Sequence, residues 1–326
     1  MLHGDGGLER VEPGPEMERP HFFIVGAPKC GTTALASYLR AHPRIFLSPV
    51  KEPNYFCLDA PGLRVIDRPD SYGRLFASAR PDQLCGEAST AYLFSNAAVP
   101  AILKASPAAR IIVLVRDPVD MVLSHHSQKV YNFEENEPDF ETAWRLSAER
   151  ARGRKVATDC RAPKYLDYRA IGRLGEQVRR LKTLVPESQL HTIVFDDLRA
   201  DPGAVYRKTL AFLGVAADGK DVFPVVNARK TNAWPALARL LKRPPAPIRS
   251  LKLAAKRAFP AQTKAIGSVV HGLNQRPQQR RPLAEPVRRE MAAAFEDDVA
   301  LLGELLNRDL SHWCKAEHAW PDEVSK

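Results

Sequence analysis

The sequence predicts a three-layer α/β fold with a mostly parallel central sheet flanked by helices. Two observations predict it. Strand-like runs are followed by helix-like runs several times along the 326 residues, an alternation that is typical of parallel sheets. The run RIIVLVR at 110–116 is continuously apolar between its two terminal arginines, as in strands that are buried on both faces. A chain of this length can also bury a large core.

The elements of the first half follow in order. HFFIVG (21–26) predicts the first strand, and TTALASYLRAH (32–42) predicts a helix that stops at His42, because the residue before a proline disfavours helical backbone. RIFLS (44–48) is a short strand, and RIIVLVR is the next long one. Pro118 occupies the first helical position that proline favours, so a helix is predicted over 118–131.

The second half continues the alternation. LDYRAIGRLGEQVRRLKTLV (166–185) predicts one amphipathic helix, LHTIVFDDL (190–198) a strand, and PGAVYRKTLAFLG (202–214) a helix that ends at its glycine. Residues 285–306 predict a long closing helix. We expect a flexible tail over 1–20 and a single domain over 21–326, with a basic, proline-rich segment at about 235–282 that has no assigned structure.

The charge of the chain is uneven. The formal net charge is +10, yet residues 222–284 contain thirteen Lys or Arg and no acidic residue. This excess suggests an anionic ligand, an anionic acceptor or peripheral contact with an anionic surface, and the alternative is a solvated basic face. The basic stretch lacks interleaved aromatics, so no nucleic-acid partner is expected. No run approaches the roughly 18 apolar residues of a membrane-spanning helix.

The five cysteines are scattered, odd in number and never spaced as CxxC. Neither a metal site nor a disulfide framework is predicted, and a cytoplasmic location fits best. The N-terminal twenty residues have acids and no apolar core, which argues against a signal peptide. The oligomeric state is not predicted.

The loop between the first strand and helix, GAPKCGTT, predicts a phosphate site. Gly31 permits close backbone approach, and amides near Thr32 and Thr33 would lie at the positive end of the helix. Lys29 adds a mobile charge, while Cys30 is either a ligand neighbour or a loop filler. In the usual nucleotide loop a lysine directly follows the second glycine, whereas this chain has Thr32 there. The alternative is a glycine turn without a ligand.

A second phosphate site is predicted after the strand at 110–116. Arg116 ends that strand and Ser124 follows eight residues later, so a guanidinium fork and a hydroxyl are available to an anion. The alternative is that Arg116 is only an ion-pair partner of Asp117 or Asp120.

APKCGTTAL (27–35) and RDPVDMVLSHH (116–126) together resemble the two cofactor signatures of sulfotransferases that use 3′-phosphoadenosine 5′-phosphosulfate (PAPS), which have a P-loop-like fold. The resemblance implies that residues 29–33 hold the 5′-phosphosulfate and that Arg116 and Ser124 hold the 3′-phosphate. Lys29 would then face the leaving group, and no metal would be required.

Two further blocks are nearest to the branch that contains heparan-type carbohydrate sulfotransferases and many bacterial relatives. VKEPNYF (50–56), hereafter the lysine–glutamate block, and GEASTAYL (86–93) resemble blocks of that branch, although Thr90 stands where proline is usual. The resemblance implies that Glu52 is the general base. The alternative is that Glu52 only pairs with Lys51 or a nearby arginine.

His125 and His126 are rival bases, because an imidazole suits this work at neutral pH. On a helix they point about 100° apart, so at most one readily faces a site. The alternative for each is a packing or capping role. Glu87 has no role that the sequence assigns.

Three hypotheses result. The first is an enzyme that moves the sulfuryl group of PAPS by in-line displacement to a hydroxyl or amine of a sugar, glycolipid or natural product. The second is a P-loop NTPase or small-molecule kinase, because HTIVFDD (191–197) resembles a strand whose aspartate holds magnesium; Thr32 in the lysine position counts against it. The third is a non-catalytic protein that binds membranes or polyanions through residues 222–284.

Overall fold

The computed structural model describes residues 20–158, 160–224, 230–232, 275–277 and 283–315, with backbone only for the two short segments between 224 and 283. The tail predicted over 1–20 lies outside the described residues except for Pro20, and so does most of the basic stretch 222–284.

The chain divides into two compact units. Unit 1 comprises Met1–Val115 and Gln177–Phe223, and unit 2 comprises Arg116–Glu176 and Pro224–Lys326. Each unit is described by itself below. The expectation of a single domain over 21–326 stays a prediction.

Unit 1 contains a five-stranded parallel sheet. Its strands are β1 (Phe22–Gly26), β2 (Ile45–Leu47), β3 (Leu84–Ala88), β4 (Arg110–Val115) and β5 (Leu190–Val194), in the order β2-β3-β1-β4-β5. The central strand β1 places Ile24 beside Ala88 on one side and Ile112 on the other. All five residues of β1 are buried, as its unbroken apolar sequence requires. The predicted α/β class with a mostly parallel sheet flanked by helices is confirmed.

The described α-helices are α1 (Thr32–Arg40), α2 (Pro69–Gly73), α3 (Ala98–Ala105), α4 (Pro118–Tyr131), α5 (Phe140–Arg145), α6 (Ser147–Ala151), α7 (Tyr168–Gly172), α8 (Leu174–Leu184), α9 (Phe195–Ala200), α10 (Pro202–Leu213) and α11 (Glu285–Leu306). Short 3₁₀ turns lie at Pro61–Leu63, Arg74–Phe76, Pro163–Leu166, Glu187–Gln189 and Ser311–Cys314. Strands β6 (Lys230–Asn232) and β7 (Gln275–Pro277) form an antiparallel pair in unit 2. Across the described ranges, no helix combines the length and apolar character needed to cross a bilayer.

The prediction of a single helix over 166–185 is wrong. The segment forms a 3₁₀ turn, then α7, and then α8 after a break at Arg173. The break is stabilised by Asp298 of α11, which accepts hydrogen bonds from the amides of Gly175 at 2.7 Å and Glu176 at 2.9 Å. These bonds satisfy first-turn amides of α8 that would otherwise lack acceptors, so a residue distant in sequence sets the start of this helix.

The strand predicted over 190–198 is too long. It ends at Val194, and α9 begins at Phe195 with Asp196 and Asp197 in its first turn, where carboxylates favour a helix N-terminus. Helix α1 ends at Arg40, two residues before the predicted stop. The bounds predicted for α4 and α11 are confirmed. Helix α10 ends at Leu213 and is followed by Gly214, whose φ of 68° is left-handed, as is typical of a glycine that terminates a helix.

Close packing in unit 2 fixes α4 against its neighbours. A Cβ atom placed on Gly172 of α7 would lie 2.3 Å from the Phe295 ring of α11 and 3.1 Å from Val122 of α4. Only glycine therefore allows the three helices to meet at this point. Helix α11 is thereby held beside the N-terminal half of α4.

Candidate functional site

The loop after β1 turns tightly into α1. The amide of Ala27 donates to the carbonyl of Leu114 at 2.7 Å, which holds the loop to β4. Lys29 and Gly31 both have left-handed backbone, with φ of 63° and 89°. A Cβ atom on Gly31 would lie 2.7 Å from a side-chain carbon of Leu198. Glycine at position 31 is therefore required both by conformation and by space.

The N-terminus of α1 matches the predicted anion site. Among the described residues, no side chain caps this helix. The amides of Thr32 and Thr33 lie in the first turn, where an α-helix supplies no acceptors. Such a helix end carries a partial positive charge that favours an anion. Cys30 is buried and its Sγ donates to the carbonyl of Pro28 at 3.4 Å, which agrees with the loop-filler alternative.

The lysine–glutamate block meets this helix end. Lys51 Nζ donates to Thr33 Oγ1 at 2.5 Å and lies 3.7 Å from Glu52 Oε1. The amide of Glu52 donates to the carbonyl of Ala88 at 3.0 Å, at the end of β3. Thr90 Oγ1 donates to Glu52 Oε1 at 3.3 Å. The structure therefore brings Lys51, Glu52 and Thr90 together with the first turn of α1.

The pairing alternative for Glu52 is realised, but the pair is weak. The side chains of Lys51 and Glu52 are 46% and 38% exposed, and ion pairs at such exposure contribute about 0–1 kcal/mol. Glu52 also has a φ of 54°, an uncommon conformation for a residue with a side chain. An accessible carboxylate on a constrained backbone is compatible with a proton acceptor as well as with a pairing role.

Sequence reasoning missed two contacts of this site. The sequence predicted Lys51 only as an ion-pair partner of Glu52, whereas Lys51 also contacts Thr33. Thr90 was noted only because proline is usual at its position, whereas its hydroxyl contacts Glu52. The adjacency of Lys51 to Glu52 was the available signal for the first contact. A hydroxyl at position 90 was the signal for the second, because proline has no side-chain donor.

Glu87 forms a buried polar centre at the end of β3. Tyr72 Oη donates to its Oε2, and Ser89 Oγ donates to its Oε1 at 2.6 Å. Complete burial raises the pKa of Glu87, while hydrogen bonds from Ser89, Tyr72 and Tyr92 oppose that rise. Ser89 Oγ also accepts the amide of Asn54 at 3.1 Å. Glu87 therefore anchors the segment that follows the lysine–glutamate pair.

The second predicted phosphate site lies in unit 2. Arg116 is partly buried, and its Nη2 lies 3.1 Å from Asp120 Oδ2. Ser124 is on α4 and is partly exposed. The ion-pair alternative for Arg116 is thus realised with Asp120. A side-chain exposure of 14% for Arg116 still leaves part of it accessible.

Asp117 starts α4. Its Oδ1 accepts hydrogen bonds from the amides of Val119 at 2.8 Å and Asp120 at 3.4 Å, which is the pattern of a helix N-cap. Its other oxygen is buried, with no hydrogen-bond partner in the described part of the chain, and lies 3.9 Å from Arg288 Nη2. Burial first, and the charge of Asp120 second, raise the pKa of Asp117 to about 7, while Arg288 opposes the rise.

The two histidines of α4 are buried and engaged. His125 Nε2 lies 3.0 Å from the carbonyl of Tyr165, and His126 Nε2 lies 2.8 Å from the carbonyl of Glu137. Because a carbonyl only accepts, both Nε2 atoms carry the proton. Burial lowers the pKa of His126. These contacts favour the packing alternative, and the rival base roles stay predictions.

The alternative of a P-loop NTPase or small-molecule kinase needs a strand that ends in an aspartate. Here β5 ends at Val194, and Asp196 and Asp197 belong to the first turn of α9. Over the described ranges, no group of three or more His, Cys, Asp or Glu could hold a metal ion. Asp196 and Asp197 therefore follow β5 without belonging to it, unlike the strand-ending aspartate that this alternative predicts.

Comparisons with known proteins agree with the resemblance to sulfotransferases. The chain matches the family model described as sulfotransferase domain over residues 19–233. It is 32% identical to human carbohydrate sulfotransferase 15, a match that covers 33% of this chain and 27% of that protein. It is 33% identical to mouse heparan sulfate glucosamine 3-O-sulfotransferase 6, over 36% of this chain and 33% of that protein. The chain thus spans about a third or less of these curated relatives.

A solved structure is similar over a larger share. The sulfotransferase from Alicyclobacillus acidocaldarius is 28% identical, with a TM-score of 0.66, and the match covers 92% of this chain and 100% of that one. The similarity extends over most of both chains and includes the parallel sheet.

Proposed function

We propose that this chain, which belongs to the sulfotransferase domain family, transfers the sulfuryl group of PAPS to a hydroxyl or amine of a sugar, glycolipid or natural product. PAPS supplies an activated sulfuryl group attached to a phosphate leaving group. One observation carries the proposal: α1 has no side-chain cap, and the Lys51 ammonium lies on Thr33 in its first turn. The runner-up, a P-loop NTPase or kinase, lacks comparable support.

The residues present fit the group. The left-handed Lys29 and Gly31 expose loop backbone, and the first amides of α1 are available to the 5′-phosphosulfate. Lys29, Cys30, Gly31, Thr32 and Thr33 would line that end. Arg116 and Ser124 would hold the 3′-phosphate, because a guanidinium fork matches phosphate oxygens.

The chain's own groups provide the chemistry. Lys29 and the loop amides stabilise negative charge that develops on the leaving oxygen, an effect worth about 10²–10³ in rate per donor. Lys51 adds a second positive charge at the same helix end. Glu52 accepts the acceptor's proton, which contributes about 10²–10⁴. Thr90 holds Oε1 of Glu52, so Oε2 is the oxygen assigned to the proton.

The acceptor class rests on similarity to carbohydrate and heparan sulfotransferases over part of their length.

The basic stretch 222–284 supports peripheral contact with an anionic surface. All five cysteines are free thiols, which supports a cytoplasmic location. Salt-dependent co-sedimentation with anionic vesicles tests the surface contact.

Isothermal titration with adenosine 3′,5′-bisphosphate, the desulfated product, tests the proposal beside ATP with magnesium. We expect the bisphosphate to bind without metal and to lose affinity in Arg116→Ala. We also expect Lys29→Ala to fold normally and to lose turnover. Binding of ATP with magnesium, together with no binding of the bisphosphate, would replace the proposal with the kinase alternative.

A further inference from the structure

Arg288 of α11 lies against the acidic start of α4. Its side chain is 10% exposed, and its two terminal nitrogens lie 3.9 Å from Asp117 Oδ2 and 3.9 Å from Asp120 Oδ1. The other oxygen of Asp120 lies 3.1 Å from Arg116 Nη2. Asp120 is therefore shared by two guanidinium groups, with one on each oxygen.

This sharing decides how much positive charge Arg116 can offer a ligand. Asp117 and Asp120 are nearly inaccessible, with side-chain exposures of 0% and 2%, so water screens their charges poorly. If Arg288 were neutral, the compensation that it supplies to both carboxylates would be lost. Arg116 would then be held more strongly on Asp120, and an incoming phosphate would meet a less positive site.

We propose that Arg288 is a positioning residue for the 3′-phosphate of PAPS, because it neutralises Asp120, and also Asp117 where that carboxyl is ionised, and so keeps Arg116 available. The inference rests on the proposed function, in which Arg116 holds that phosphate. Arg288 lies beyond residues 19–233, the part of the chain that matches the family model. The family match therefore does not assign it this role.

The test compares two nucleotides that differ by the 3′-phosphate. Affinities for adenosine 3′,5′-bisphosphate and for adenosine 5′-monophosphate are measured by isothermal titration, with competition against the bisphosphate where the monophosphate is weak. The variants are Arg288→Gln, which keeps donors and removes the charge, and Arg288→Lys, which keeps the charge. Arg289→Gln is the matched control, because the neighbouring Arg289 is 65% exposed and pairs with Glu285 within its own helix.

We expect Arg288→Gln to weaken bisphosphate binding by about tenfold, the effect of losing one poorly screened charge, and to leave monophosphate binding within about twofold. Arg288→Lys should recover most of the bisphosphate affinity, and Arg289→Gln should change neither affinity. Equal loss for both nucleotides in Arg288→Gln and Arg288→Lys would overturn the inference and show a structural role. If Arg288→Gln does not fold, Arg288→Lys is the test. A preference for the bisphosphate over the monophosphate that matches the wild type supports the inference, and loss of that preference overturns it.

Arg116→Gln separates this inference from the function on which it rests. If that variant retains the preference for the bisphosphate, the assignment of the 3′-phosphate to Arg116 is wrong. If it loses the preference while Arg288→Gln retains it, only the role of Arg288 is wrong.

Discussion

Lys51 Nζ and Thr33 Oγ1 are joined by a hydrogen bond of 2.5 Å. Thr33 lies in the first turn of α1, and Lys51 lies in the loop that follows β2. The bond places an ammonium group at a helix end that already carries partial positive charge. Glu52 Oε1 lies 3.7 Å from the same ammonium and offsets part of this charge, but the pair is exposed and weak. We therefore expect Lys51 to contribute to the proposed phosphate site.

Lys51→Met is expected to weaken binding of adenosine 3′,5′-bisphosphate by about 10- to 150-fold, because a hydrogen bond that involves a charged group contributes about 1.5–3 kcal/mol. Titration calorimetry measures the effect. Lys104→Met is the control, because Lys104 is an exposed lysine near the end of α3. Unchanged affinity in Lys51→Met would mean that Lys51 only ties the loop to α1.

Glu52→Gln is expected to lower turnover by about 10²–10⁴ while bisphosphate affinity stays unchanged, because the amide keeps the shape and cannot accept the proton. Thr90→Val should lower turnover less, by about tenfold at most, since it removes one hydrogen bond to the carboxylate. Steady-state kinetics beside calorimetry separates the two effects. Full turnover in Glu52→Gln, with loss in His125→Gln or His126→Gln, would move the base to α4.

Elements whose signals are local were predictable from the sequence. Helix α4 begins at Pro118 after the Asp117 cap, and the left-handed Gly214 follows the last residue of α10. The start of α8 was not predictable, because it depends on Asp298, more than a hundred residues away. A continuous amphipathic pattern over 166–185 contains no information about that distant carboxylate.

In the candidate site, too, some features could be predicted from local sequence and others depend on contacts between distant segments. The strand–loop–helix sequence and its two glycines predict the turn around Lys29 and Gly31. The contacts of Lys51 with Thr33 and of Thr90 with Glu52 join segments that the β-sheet brings together, and side-chain reach across a sheet edge is not encoded in local spacing. Residue types therefore predict a phosphate site in this loop. The contact of Lys51 with Thr33 could be found only from the three-dimensional structure.

Tyr72→Phe is expected to lower the free energy of unfolding by about 1–3 kcal/mol, because it removes a donor from the fully buried carboxylate of Glu87. Tyr55→Phe is the matched control. Tyr55 stacks on Tyr72 with ring centroids 4.3 Å apart but is only partly buried, so its change should stay within about 0.5 kcal/mol. Urea unfolding measures both variants. Equal losses would show that the hydrogen bond from Tyr72 to Glu87 adds no stability beyond the general effect of removing a tyrosine hydroxyl.

Asp117→Asn is expected to change how stability depends on pH. The buried carboxyl of Asp117 has a pKa of about 7 in the folded chain, against an ordinary value of 3.8, so between these values the folded state binds more protons than the unfolded state. The free energy of unfolding that Asp117 contributes therefore falls as pH rises from about 4 to about 7.

Asparagine at position 117 keeps an oxygen for the amides of Val119 and Asp120 and does not titrate. The difference in the free energy of unfolding, wild type minus Asp117→Asn, should thus decrease across this range, by at most about 1.4 kcal/mol per pH unit. Urea unfolding at half-unit steps of pH measures the difference. If it increased with pH instead, Asp117 would be ionised in the folded chain, and attraction to Arg288 would outweigh the cost of burial.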